Sequence, residues 1–75
     1  MRRWGVAVRK NGQPPISLGR DLAECVKLTA MGGGDFYSFG EAEEYCQRTR
    51  DLLGDDGEAY VVAYDDDTWK ILEIL

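Results

Sequence analysis

Hydrophobic and polar residues alternate at the start of the chain, where Trp4, Val6 and Val8 interleave with Arg3, Gly5, Ala7 and Arg9. That period of two predicts a strand with one buried face, because successive side chains of an extended backbone point to opposite sides. Asn11-Gly12 marks a turn, since both residues tolerate positive φ at low cost. Pro14-Pro15 rules out a central strand directly afterwards, as neither residue has a backbone N–H for a ladder. The chain is expected to wander here and to touch the sheet edge at Ile16 and Leu18.

Residues 22–31 carry two patterns. Val26, Leu28 and Ala30 alternate with Lys27 and Thr29, which favours a second strand. Asp21-x-x-Glu24 resembles a capping box, and Leu22, Cys25, Val26 and Thr29 share a helical face, which leaves a helix as the alternative. Gly32-Gly33-Gly34 ends either element. A helix follows over about residues 40–53: Ser38 and Glu41 form an S-x-x-E capping box, and Ala42, Tyr45, Cys46, Thr49, Leu52 and Leu53 recur at amphipathic spacing. Glu43, Glu44, Gln47, Arg48 and Asp51 then occupy its solvent face, and Gly54 supplies a left-handed cap.

After the Gly54-Asp55-Asp56-Gly57 turn, Ala59-Tyr60-Val61-Val62-Ala63-Tyr64 reads as a strand. Asp65-Asp66-Asp67 turns the chain into a last strand over residues 68–75, with Trp69, Ile71 and Glu73 opposing Lys70, Leu72 and Ile74. The expected fold is a single α+β domain over residues 1–75: an antiparallel β-sheet with one amphipathic helix packed on one face, in the order β-β-α-β-β.

Charge changes this picture because it is divided by position. Residues 1–27 hold Arg2, Arg3, Arg9, Lys10, Arg20 and Lys27 against Asp21 and Glu24, four net positive. Residues 28–75 hold three basic residues against twelve acids, nine net negative, for an overall charge of −5. A bipolar chain either steers a charged partner or satisfies its own two halves. At 44 % hydrophobic residues the chain is rich enough to form a core. A domain of this size removes only roughly 60 to 65 % of its unfolded surface from water, so most apolar residues are committed to that core. No apolar run has the length of a signal peptide or a bilayer span, so the expected address is the cytoplasm, with Cys25 and Cys46 as separate thiols.

Catalytic chemistry has little to work with. The chain has no histidine, no G-x-S-x-G elbow and no Walker-type loop, and neither cysteine is flanked by a base that would activate it. A non-enzymatic protein without a cofactor is expected. Asp55-Asp56-x-Glu58 and Asp65-Asp66-Asp67 offer oxygen ligands for a hard cation, but they lack the spacing of a calcium loop, and turn chemistry accounts for them. Gly32-Gly33-Gly34 follows no parallel βα unit, so it reads as a connection and not as a phosphate cradle. Arg2, Arg3, Arg9 and Lys10 beside Trp4 suggest a nucleic-acid backbone contact, which twelve acids elsewhere oppose.

The acids themselves form the main candidate surface. Glu43, Glu44, Asp51, Asp55, Asp56, Asp65, Asp66 and Asp67 are the expected partner-binding residues, because carboxylates presented together imitate phosphates toward a Lys/Arg-lined groove. In size, acidity and element order, with Ser38-Phe39-Gly40-Glu41 and Asp65-Asp66-Asp67 as its nearest marks, the chain resembles the small inhibitors carried by phages and mobile elements, anti-CRISPR proteins among them. The resemblance implies a partner with a basic surface, such as a CRISPR effector or another nucleic-acid-binding complex, in the cytoplasm of a bacterial host. The alternative is a small regulatory or accessory module that pairs a sheet edge with another protein.

Overall fold

The computed structural model describes residues 2–22 and 38–75. Three strands form one antiparallel sheet in the order β1-β2-β3, with β1 at Arg2–Lys10, β2 at Gly57–Asp65 and β3 at Ile71–Ile74. A helix, α1 (Phe39–Leu53), packs across β1 and β2 and runs into a 3-10 turn at Gly54–Asp56 that leads into β2. This is the α+β arrangement of an antiparallel sheet with a helix on one face. The second strand expected over 22–31 lies, from Ala23 onward, outside the described residues, as do Cys25 and the Gly32-Gly33-Gly34 run.

Helix α1 begins where the capping signal predicts. Ser38 has extended backbone, and its Oγ accepts the Glu41 N–H at 3.2 Å, satisfying one donor that a helix start leaves unpaired. Gly54 ends the helix at φ 55°, with its N–H donating to the Arg50 carbonyl. A residue without a Cβ enters that left-handed region at little cost. Ala42, Cys46 and Thr49 are buried, and Tyr45 and Leu53 are half-buried. Leu52 departs from the expected apolar stripe and is 71 % exposed. The buried line Ala42-Cys46-Thr49-Leu53 runs straight along the helix, and Leu52 sits about 100° round from Leu53.

The register from Arg2↔Asp65 to Lys10↔Gly57 pairs β1 with β2 along their full length. Glycine is required at the last of these pairs. A Cβ on Gly57 would stand 2.4 Å from the Arg9 carbonyl oxygen, inside any tolerable contact.

Both faces of the sheet are buried, which corrects the single-faced strand expected for β1. On the α1 side, Val6, Val8, Ala59 and Val61 pack with Ala42 and Cys46, edged by Trp4, Tyr45 and Leu53. On the opposite side, Ala7, Val62, Tyr64 and Ile71 pack with Leu22, edged by Ile16 and Tyr60. Removing a side chain such as Val6 or Val62 from water stabilises the fold by roughly 1.5 to 3 kcal/mol. The second layer comes from the stretch after the proline pair, which crosses that face and reaches β3. The Gly19 N–H donates to the Ile71 carbonyl at 2.8 Å, the Ile71 N–H to the Arg20 carbonyl at 2.9 Å, and the Leu22 N–H to the Trp69 carbonyl at 2.7 Å. The sheet-edge contact is therefore made by Gly19, Arg20 and Leu22. Ile16 borders the core and Leu18 is exposed.

The β2–β3 hairpin closes through Asp65. Its N–H donates to the Lys70 carbonyl at 3.0 Å, its carbonyl accepts the Trp69 N–H at 2.6 Å, and its carboxylate accepts the Asp67 N–H at 2.8 Å. Trp69 stands at φ 62°, a region that costs a residue with a Cβ roughly 1 to 2 kcal/mol. Its ring lies 5.4 Å from that of buried Tyr64, a contact that offsets the backbone cost. Trp69 is thus outside the strand in which alternation places it. β3 begins at Ile71, and a register shift at Ala63/Tyr64 breaks the alternation, leaving Leu72, Ile74 and Leu75 exposed. Among the described residues no helix is long and apolar enough to cross a membrane.

Candidate partner-binding surface

The arginines of β1 meet acids across the sheet. Arg9 opposes Glu58 in the register, with Nη1 3.7 Å from a carboxylate oxygen. Arg3 donates through Nε to Asp66 Oδ2 at 3.2 Å, bringing together residues 63 positions apart. Arg2 pairs with Glu73 on β3, and its guanidinium lies 5.5 Å from the Trp4 ring centroid. Arg20 donates to the Pro14 and Pro15 carbonyls. Each partly exposed ion pair stabilises the fold by only about 0.2 to 1 kcal/mol, yet together they engage the three arginines of β1. Trp4 is half-buried and edge-on to Phe39 at 5.3 Å, so it is poorly placed to stack a nucleic-acid base.

The eight acids singled out from the sequence fall into three groups. Glu43, Glu44 and Asp51 are exposed on the outer face of α1. Glu44 Oε1 accepts from Arg48 at 3.1 Å, and Asp51 Oδ1 accepts from Gln47 at 3.1 Å. Asp55 and Asp56 are exposed on the 3-10 turn, where their carbonyls anchor the Asn11 side chain and N–H at 2.7 and 3.0 Å. Their side chains make no ion pair among the described residues. Asp65, Asp66 and Asp67 stand at the far end of β2, about 25 to 30 Å away at a rise of about 3.3 Å per residue.

The first two groups adjoin along α1 and its exit turn, while the third is separate and engaged in turn and Arg3 contacts. Glu41 belongs with the first group. It is exposed on the first turn of α1 and its carboxylate makes no ion pair among the described residues. In the sequence its place in the capping box marks it as a helix-starting residue, which masks it as a surface acid.

Carboxylate oxygens of Asp65, Asp66 and Asp67 lie within 4.8 Å of one another, close enough to share a hard cation. The contacts of Asp65 with the Asp67 N–H and of Asp66 with Arg3 give the cluster a structural role. The other candidate cation cluster is dispersed, because Glu58 is turned to Arg9 and to the Tyr60 hydroxyl. Cys46 is a buried free thiol. Burial pushes its pKa up against the weaker pull of Arg50, which suits packing and not nucleophilic attack.

A groove of about 370 Å³ opens at the corner where α1 gives way to β2, lined by Arg50, Gly54, Gly57, Glu58, Ala59 and Tyr60. Arg50 Nε donates to the Ala59 carbonyl at 2.8 Å. The Tyr60 hydroxyl donates to Glu58, and that bond raises the phenol above its ordinary pKa by holding its proton. No known protein family, curated protein or solved structure matches this chain.

Proposed function

We propose that this chain is a non-enzymatic binding protein whose acidic α1 face occupies a basic groove on a nucleic-acid-processing complex, as small phage and mobile-element inhibitors of the anti-CRISPR kind do. The observation that carries this reading is the run of exposed acids Glu41, Glu43, Glu44, Asp51, Asp55 and Asp56 on two adjoining elements, of which Glu44 alone has a basic partner among the described residues. Carboxylates held on a helix and left without counter-charge would be attracted to a Lys/Arg-lined groove, and that attraction would speed encounter in a salt-dependent way. A reducing bacterial cytoplasm would suit such a role and the free thiol of Cys46.

The test begins with pull-down and mass spectrometry to capture the partner. Association rates are then measured for Glu43→Lys/Glu44→Lys/Asp51→Lys and, separately, for Asp65→Lys/Asp66→Lys/Asp67→Lys. The α1 variant should keep its fold, since exposed substitutions usually change stability by about 0.5 kcal/mol or less each. It should lose roughly tenfold or more in association rate, and wild-type association should slow as salt rises. An α1 variant that associates at the wild-type rate, with no salt effect, would reduce the stripe to solvated surface. The reading would then pass to edge pairing, for which β1 is the long edge strand among the described residues.

A further inference from the structure

The groove at the α1–β2 corner has chemistry opposite to that of the acidic stripe. The bond from Arg50 Nε to the Ala59 carbonyl fixes one edge of the guanidinium and leaves Nη1 and Nη2 without a hydrogen bond among the described residues. Glu58, the acid in the same groove, is met by Arg9 at 3.7 Å and by the Tyr60 hydroxyl, so its charge is answered from another side. The groove cannot readily be filled by substitution. Gly57 is held bare by its contact with the Arg9 carbonyl, and Gly54 by its positive φ.

We infer that this groove binds a carboxylate, taken end-on by Nη1 and Nη2 of Arg50, with Tyr60 forming one wall. A planar carboxylate matches the two parallel N–H groups of a guanidinium fork. A phosphate or sulfate fits less well, because Glu58 and the neighbouring Asp55 and Asp56 repel a dianion more strongly than a monoanion. The same chemistry is offered by an acidic side chain and by the end of a peptide chain. The site takes an anion through Arg50 and so does not rest on the reading of the acidic stripe, although Asp55 and Asp56 of that stripe are its neighbours.

The test is titration of the ¹⁵N-labelled protein, followed by NMR, with three peptides. Acetyl-Gly-Gly supplies a terminal carboxylate, acetyl-Gly-Glu-Gly-amide a side-chain carboxylate, and acetyl-Gly-Gly-amide neither. Saturable shifts are expected at the Arg50 Nε–H and the Gly54 and Gly57 amides with at least one carboxylate peptide and not with the neutral one. Which of the two binds identifies the source. Arg50→Gln should weaken binding roughly tenfold or more. Glu58→Gln leaves Arg50 and its carbonyl contact in place and removes a competing anion, so it should tighten binding roughly threefold or more. Equal shifts with the neutral peptide, no saturable shifts with either carboxylate peptide, or a Glu58→Gln protein that binds no more tightly would each overturn the inference. The Glu58→Gln result decides the matter even if Arg50→Gln does not fold. None of these outcomes bears on the pull-down that tests the acidic stripe.

Discussion

In the 65–67 turn the Asp65 carboxylate accepts the N–H of Asp67 and Asp66 meets Arg3, whereas on α1 Glu41 and Glu43 are exposed and make no ion pair among the described residues. Both regions are short, acidic and close to a chain reversal, yet their carboxylates have different neighbours. The cause is register. β1 lies beside β2 and brings its arginines to the acids of the sheet and its turn, but it has no reach to the outer face of α1. Charge counted along a chain therefore becomes informative only once the strand pairing assigns partners to it.

The largest expected effect undercuts the turn. Tyr64 is fully buried and carries the Trp69 ring, so Tyr64→Ala should cost about 3 to 5 kcal/mol in urea denaturation. A loss near that of a surface substitution would mean that the turn is not anchored by this ring. Beneath the other region, Leu53→Ala should cost about 1 to 2 kcal/mol because the side chain is half-buried, and Leu52→Ala less than about 0.5 kcal/mol. The reverse order would show α1 rotated about its axis and a different set of acids facing outward.

The smallest effect tests the comparison directly. Asp66→Asn should lower the denaturation midpoint because it removes the charge that faces Arg3, and Glu43→Gln should leave it nearly unchanged. The gap should narrow at about 1 M salt, where screening acts over about 3 Å, and the partly buried Arg3–Asp66 pair should keep some of its contribution. Equal losses at low salt would erase the distinction between the two acidic regions.

Much of the fold is legible in the sequence where local chemistry decides it. Ser38 and Glu41 announce α1, and the alternating residues of β1 and the apolar run of β2 announce their strands. Trp69 was not legible, because a left-handed residue is expected to be Gly or Asn, and nothing local warns that an aromatic will be held there by Tyr64. The second buried layer was hidden for a similar reason. Ala7 reads as the open side of a strand until Leu22 and Ile16 are brought against that face by a crossing that the proline pair leaves unspecified. At the candidate surface, residue type identified exposed acids on α1, but separating them from the 65–67 turn required a pairing 63 positions long.

The pairing of Arg2 with Asp65 also dictates when this molecule can fold. β1 leaves the ribosome before the residues of β2 have been joined to the chain. At about 5 to 20 residues per second, that delay is of the order of a few seconds. During it, Trp4, Val6 and Val8 have no sheet to enter, and α1, although its cap and turns are local, has no completed face to dock against. Closing so long a loop is entropically slow, and both buried layers wait on the same central strand. The native sheet is consequently a late product of synthesis, and until β2 follows, the apolar side chains of the nascent β1 stay in water between their flanking Arg and Lys residues.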